Sequence, residues 1–182
     1  YDVRGIQSYI FKSNAAKEIV GASVLVEKII TEGLQEYVNI QEKKMSTYMM
    51  DWKNDDSKAF LENQEIEMQI MFIGGGNAYV LFRHGRECEK VNQFLAKYLL
   101  DRTYSLNLAV AVVPKTEDYR NDYDAINSKM CEIKASMPLN MPVGAMPFMA
   151  VDTITGYPIT NKDTKGNYYS TEASLKRAAF PK

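Results

Sequence analysis

Long apolar runs, cysteine, histidine and an excess of either charge are all missing from this chain, and each absence removes a class of function. No apolar stretch approaches the ~18 residues that a membrane-spanning helix needs. Cysteine occurs twice, as Cys88 and Cys131, far apart and outside any C-x-x-C pattern, and His84 is the single histidine. That count excludes a thiolate–imidazole zinc site, and a reducing cytoplasm is the expected compartment. Lys and Arg number 22 against 23 Asp and Glu, a formal charge of -1, whereas a dedicated nucleic-acid binder carries a basic stripe. What remains is globular in composition: 182 residues, 46% hydrophobic and 25% charged. That length suits one core with an appendage, burying roughly 70% of the extended chain's surface without disulfides. The chain opens on Tyr1, with no charged-then-apolar leader after it, and the expectation is a piece of a longer polypeptide.

Hydrophobic periodicity orders the rest. Residues 1–4 read as the end of a strand, closed by Gly5. Between Ala15 and Val38 the residues Ile19, Ala22, Val26, Ile29, Ile30, Leu34 and Tyr37 recur at three- and four-residue steps, one face of a long helix. Residues 39–63 are polar and read as a surface excursion with a short helix over 57–61; Tyr48 to Trp52 form a satellite aromatic cluster beneath it. Ile66, Met68, Ile70 and Phe72 alternate as a strand. Gly74-Gly75-Gly76-Asn77 then turns the chain into a second strand over 78–82, a hairpin. A helix follows over 86–100, then a nearly continuous apolar strand over 106–113, the pattern of a central sheet position, stopped by Pro114. Tyr119, Tyr123, Ile126, Met130, Ile133 and Met137 mark a third amphipathic helix. The order predicts an α+β, ferredoxin-like β-α-β-β-α-β domain over residues 1–137, an antiparallel sheet with helices on one face. Residues 138–182, interrupted by Pro138, Pro142, Pro147 and Pro158, read as an extension that packs on the core or leads toward a further domain.

Two segments carry candidate chemistry. In this topology the first strand neighbours the hairpin, so Asp2 should lie close to Gly74–Asn77. A carboxylate beside side-chain-free backbone suits a nucleotide triphosphate: glycine amides admit phosphate oxygens, and the acid holds the Mg²⁺ that neutralises them. Taken singly, an Asp at a strand end is a turn or cap residue, and a glycine-rich hairpin is a tight turn needing positive φ. Their predicted adjacency is what raises the functional reading.

At these residues the sequence resembles a family. Asp2-Val3-Arg4-Gly5-Ile6-Gln7-Ser8-Tyr9-Ile10-Phe11 is similar to the opening D-x-x-G-I-Q-x-[FY]-I-[FY] of the large polymerase-like subunit of type III CRISPR effector complexes. Gly21-Ala22-Ser23 resembles its G-x-S on the next helix, and Ile73 to Leu81 resembles the hairpin of its first palm domain. In that family two palms of nucleotidyl-cyclase (GGDEF-like) type pack face to face and bind two ATP molecules. The second, bearing G-G-D-D, makes cyclic oligoadenylates in antiviral defence; the first is typically degenerate, and this chain is more similar to the first. The resemblance implies nucleotide binding by Asp2, the turn Gly5-Ile6-Gln7, Ser23, Gly75, Gly76, Asn77 and, on the third amphipathic helix, Lys134, with Asp2 as the Mg²⁺ ligand. Lys129 and Lys134 have a second reading as a solvated helix face, and Ser23 as a small residue at a helix–sheet contact. Asp152 to Pro158 resembles a D-x-x-T-G-x-P stretch after the palm.

The departure from the pattern concerns charge. An active palm has acids on the first strand and after the hairpin G-G; here Gly76 and Asn77 occupy the latter positions. Two-metal phosphoryl transfer needs carboxylates to hold both ions, and Glu65 and Glu67 lie too far back along the strand to replace them. The expectation is a non-catalytic ATP-type half-site whose glycine at position 76 leaves room for adenine or phosphate. It would be completed by an acid-bearing second palm in the same protein or a partner subunit, within a guide-RNA effector complex. The alternatives are an autonomous dimeric nucleotidyl cyclase and a ligand-free ferredoxin-like interaction module.

Overall fold

The long apolar stripe starting near Ile19 folds as expected, and the sheet assembles against it. The computed structural model describes residues 1–41, 46–138 and 145–181. Its elements are β1 (Asp2–Arg4), α1 (Ile6–Ile10), α2 (Ala16–Ile40), β2 (Tyr48–Met49), α3 (Ala59–Glu62), β3 (Met68–Gly74) and β4 (Asn77–Phe82), then α4 (Gly85–Thr103), β5 (Asn107–Ala109) and α5 (Tyr119–Ser136), and finally β6 (Ile159–Lys162), β7 (Tyr168–Ser170) and α6 (Thr171–Ala178). The fold is α+β, with a mixed five-stranded sheet ordered β2-β3-β4-β1-β5 and a separate β6-β7 hairpin. β1 is antiparallel to both β4 and β5, β3 is antiparallel to β4, and β2 runs parallel to β3. Among the described residues no helix is long and apolar enough to cross a membrane.

Strand alternation divides the sheet into two unlike faces. Val3, Ile70 and Ala78 enter one hydrophobic core with Val26, Ile30 and Leu34 of α2 and Val91, Leu95 and Leu99 of α4. Asp2, Asn77 and Tyr79 take the opposite face, where α5 lies across them. The expected single helical layer therefore holds for α2 and α4, while α5 belongs to the other side. A bulge between Ile70 and Phe72 also breaks the predicted alternation of β3. It turns Phe72 out of the core to pair with Tyr79, leaving it 41% exposed.

Two strands differ from their sequence patterns for definite reasons. The apolar run at 106–113 forms β5 at a sheet edge rather than the centre. It is apolar because α4 covers one of its faces and α5 the other. β2 is only two residues long, too short to leave a period, and is fixed by side chains. The buried hydroxyls of Tyr37 and Tyr48 both donate to Glu87 Oε1, each at 2.7 Å.

The C-terminal segment ends in α6, which docks on α2. A Cβ at Gly21 would fall 1.8 Å from the Lys176 carbonyl oxygen, so only glycine allows the two helices this approach. Gly21 therefore serves a helix–helix contact. The interface encloses charge: Lys176 and Glu172 are fully buried and paired at 2.6 Å, and Lys176 Nζ also donates to Tyr9 O at 2.7 Å. Desolvation lowers the Lys176 pKa, and the carboxylate of Glu172 opposes that shift. At the rim Arg177 pairs with Glu18 at 2.9 Å.

Because the obstruction at Gly21 is backbone and cannot rotate away, Gly21→Ala should displace α6 and cost at least ~2 kcal/mol of stability. Urea unfolding measures this; a loss near zero would mean that the two helices are not in close register.

Candidate functional site

The site begins with three residues of β1 held between two partners. Asp2 stands opposite Asn77 on one side and Ala109 on the other. Val3 N donates to Gly76 O at 2.9 Å and Ala78 N to Tyr1 O at 3.1 Å. These bonds bring the first strand against the hairpin, as the topology predicted. Gly74 and Asn77 close the hairpin around Gly75 (φ +59°) and Gly76 (φ +84°). Two consecutive positive φ values are those of a type I′ turn, which glycine adopts at little steric cost.

The two turn glycines are not equivalent. Nothing lies within 4 Å of the Cβ direction at Gly75, which faces open space. At Gly76 a Cβ would meet Ile6 Cδ1 at 2.7 Å and Val3 Cβ at 3.5 Å. The room expected there for adenine or phosphate is already filled by Ile6. Gly76 instead lets the hairpin close onto β1 and the turn that follows it.

That turn is Gly5, in the left-handed region at φ +79°, which ends β1 and starts the five-residue α1. Its carbonyl accepts from Tyr9 N and from Ser8 Oγ, both at 2.8 Å. Ile6 faces inward against Gly76, whereas Gln7 is exposed. Ser23 does not join the group: it is exposed on α2 and its hydroxyl donates to Ile19 O at 3.1 Å. Its role is that of a surface helix residue, since Gly21 and Ala22 are the positions turned inward.

Across the sheet face, Lys134 of α5 reaches Asp2. Nζ and Oδ2 are 2.5 Å apart, with the side chains 37% and 23% exposed. Both residues line a cavity of about 150 Å³ between α5 and the sheet, together with Asn77, Tyr79, Asn127 and Met130. That volume holds a few waters at ~30 Å³ each, below the 300–1,000 Å³ of ordinary small-molecule pockets. Among the described residues Asp2 is the one carboxylate in its lining. Among the described residues no group of three or more His, Cys, Asp or Glu side chains is placed to hold a metal ion. Desolvation chiefly, with help from Tyr123 and Tyr119, raises the Tyr79 pKa, so its phenol stays protonated.

The structure thus brings together Asp2, Asn77 and Lys134, with Gly75, Gly76, Gly5 and Ile6 at the adjoining turn. Tyr79, Asn127 and Met130 were missed. Period-two alternation from Asn77 could have found Tyr79; nothing in the sequence signals which face α5 covers. Lys129, by contrast, pairs with Glu132 at 3.0 Å on the exposed side of α5.

The start of α5 is organised by Asp122. Its carboxylate accepts from Thr116 N and Thr116 Oγ1 and pairs with Lys115 at 2.6 Å. Lys115 first, then the threonine bonds, hold its pKa down at about 2. A depressed folded-state pKa stabilises fully above the unfolded value of ~3.9, and the contribution disappears as pH falls through about 2. A carboxyl-detected NMR titration should place Asp122 near that value, and Lys115→Ala should raise it toward the usual range; an unmoved midpoint would remove Lys115 from that role.

No known family model matches the chain, and no curated protein matches it either.

Proposed function

We propose that this chain is a nucleotide-binding, non-catalytic palm of ferredoxin-like, nucleotidyl-cyclase type, similar to the first palm of the type III CRISPR polymerase-like subunit. In this reading it forms half of an ATP site that an acid-bearing second palm completes. The observation that carries it is the juxtaposition of Asp2 with Asn77 at the head of the Gly75-Gly76 turn. The succession β3-β4-β1-β5, with β1 antiparallel to both neighbours, supports this reading.

Asp2 supplies one hard anionic oxygen donor for a magnesium ion carried by the nucleotide. Asn77, directly opposite, offers a neutral amide where an active palm has a second acid. One carboxylate anchors a single ion, and in-line phosphoryl transfer through two ions needs more. The open side of Gly75 is where phosphate oxygens can approach backbone amides without meeting a side chain. Turnover, in this reading, belongs to the completed pair of palms.

Titration calorimetry with Mg·ATP tests the proposal. The wild-type chain should bind, and Asp2→Ala should weaken binding at least ~10-fold, equivalent to about 1.4 kcal/mol. Incubation with labelled ATP and Mg²⁺ should yield no cyclic product from the chain alone. Cyclic product would make it an autonomous cyclase, and no heat from either protein at millimolar ATP would make it a ligand-free module.

A further inference from the structure

We infer that α5 is a displaceable latch and that Lys134 is a built-in competitor for the Asp2 carboxylate; its functional consequence rests on the nucleotide-binding reading above. Three observations carry it. First, α5 is docked without being buried. None of its 18 residues is buried, whereas α2 buries ten of 25 and α4 six of 19. Second, the polar bonds at its start are local. Asp118 accepts from Arg120 N, and Thr116 and Lys115 bind Asp122, so these contacts travel with the helix and do not tie it to the sheet. Third, a cavity of about 150 Å³ lies between its second half and β1 and β4. Lys134–Asp2 is the ion pair that spans this gap, joining residues 132 positions apart.

Lys134 holds Oδ2 of Asp2 at 2.5 Å, so a divalent cation approaching the same carboxylate meets a positive charge already in place and is bound more weakly than by a free Asp2. The closed form therefore occupies the cation position with the protein's own charge. Opening α5 frees Asp2 and enlarges a space too small for a nucleotide into a cleft continuous with the Gly75 turn. Apparent affinity for any Asp2 ligand is then reduced by the fraction of molecules in the closed form.

Hydrogen exchange on the intact chain reads the latch without any nucleotide. An undocked 18-residue helix is marginal in water, so release appears as faster exchange across α5. Lys134→Met keeps the aliphatic stem and removes the charge. It should speed α5 exchange about five-fold, the upper range for a partly exposed ion pair, with α2 and α4 unchanged. Lys134→Arg should retain most of the protection. In the unmodified chain 0.5 M NaCl should move α5 in the same direction by screening, which covers the case of a variant that folds poorly. Equal α5 exchange in wild type and Lys134→Met, with no effect of salt, overturns the latch whatever the nucleotide does. Mn²⁺ alone, followed by loss of its free-ion EPR signal, reads the competition. Binding should tighten about five-fold in Lys134→Met and be lost when Asp2→Ala is added; equal Mn²⁺ affinity in wild type and Lys134→Met overturns it. Faster α5 exchange with no Mg·ATP binding in either protein would leave the latch in place and remove the nucleotide reading.

Discussion

A partly exposed carboxylate set in the middle of a sheet gains from a counter-charge, and most of the site's organisation follows from how that charge is supplied. Asp2 sits on a strand flanked on both sides, so its backbone is committed to the ladder and its side chain has one direction available. The neighbour beneath that direction, Asn77, is neutral. The protein supplies compensation from a distant helix through Lys134. With both side chains partly exposed, the pair contributes at most about 1 kcal/mol. It is strong enough to position α5 and weak enough to be exchanged.

The hairpin solves a steric problem that the same strand creates. For β1 to lie against β4 while the chain turns at Gly5, Ile6 has to enter the space beside the hairpin tip. Gly76 makes that entry possible, since a side chain there would overlap Ile6. Gly75 carries the other positive φ of the turn and stays open to solvent. A pair of glycines that looks like one phosphate-binding unit is therefore one packing residue and one accessible residue.

How much was legible in the sequence can be traced residue by residue. The stripe from Ile19 to Tyr37 and the Gly75-Gly76 turn depend on local periodicity and local φ, so α2 and the β3–β4 hairpin could be read directly, and the adjacency of Asp2 followed from strand order. Other features depend on contacts that sequence spacing does not encode. The bulge before Phe72 moved a residue to the other face without changing the apolar pattern. β5 is apolar because two helices sandwich an edge, a pattern indistinguishable from that of a central strand. Ser23 was placed near a ligand through its neighbours Gly21 and Ala22, yet these two turn inward and leave the serine on the surface. The poor patterning of the C-terminal segment concealed α6, whose buried positions Glu172 and Lys176 are charged.

Those charged positions give the site its second support, and comparison of two lysines shows how surroundings decide their roles. Lys134 and Lys176 both arrive from late in the chain to hold the N-terminal segment, one at Asp2 and the other at Tyr9 O. Lys176 is fully buried, and burial lowers its pKa against the opposing influence of Glu172. Removing Glu172 would strand the lysine's charge in the core, so the tie is permanent. Its ring contact with Tyr9, 4.0 Å from Nζ to the centroid, fixes α1 and through it the turn at Gly5. Lys134 keeps access to water, so water can replace Asp2 as its partner at small cost. The same functional group therefore acts as a fixed support where solvent is excluded and as a movable one where solvent reaches it. The first keeps the turn and hairpin in register while the second can open the cleft beside them.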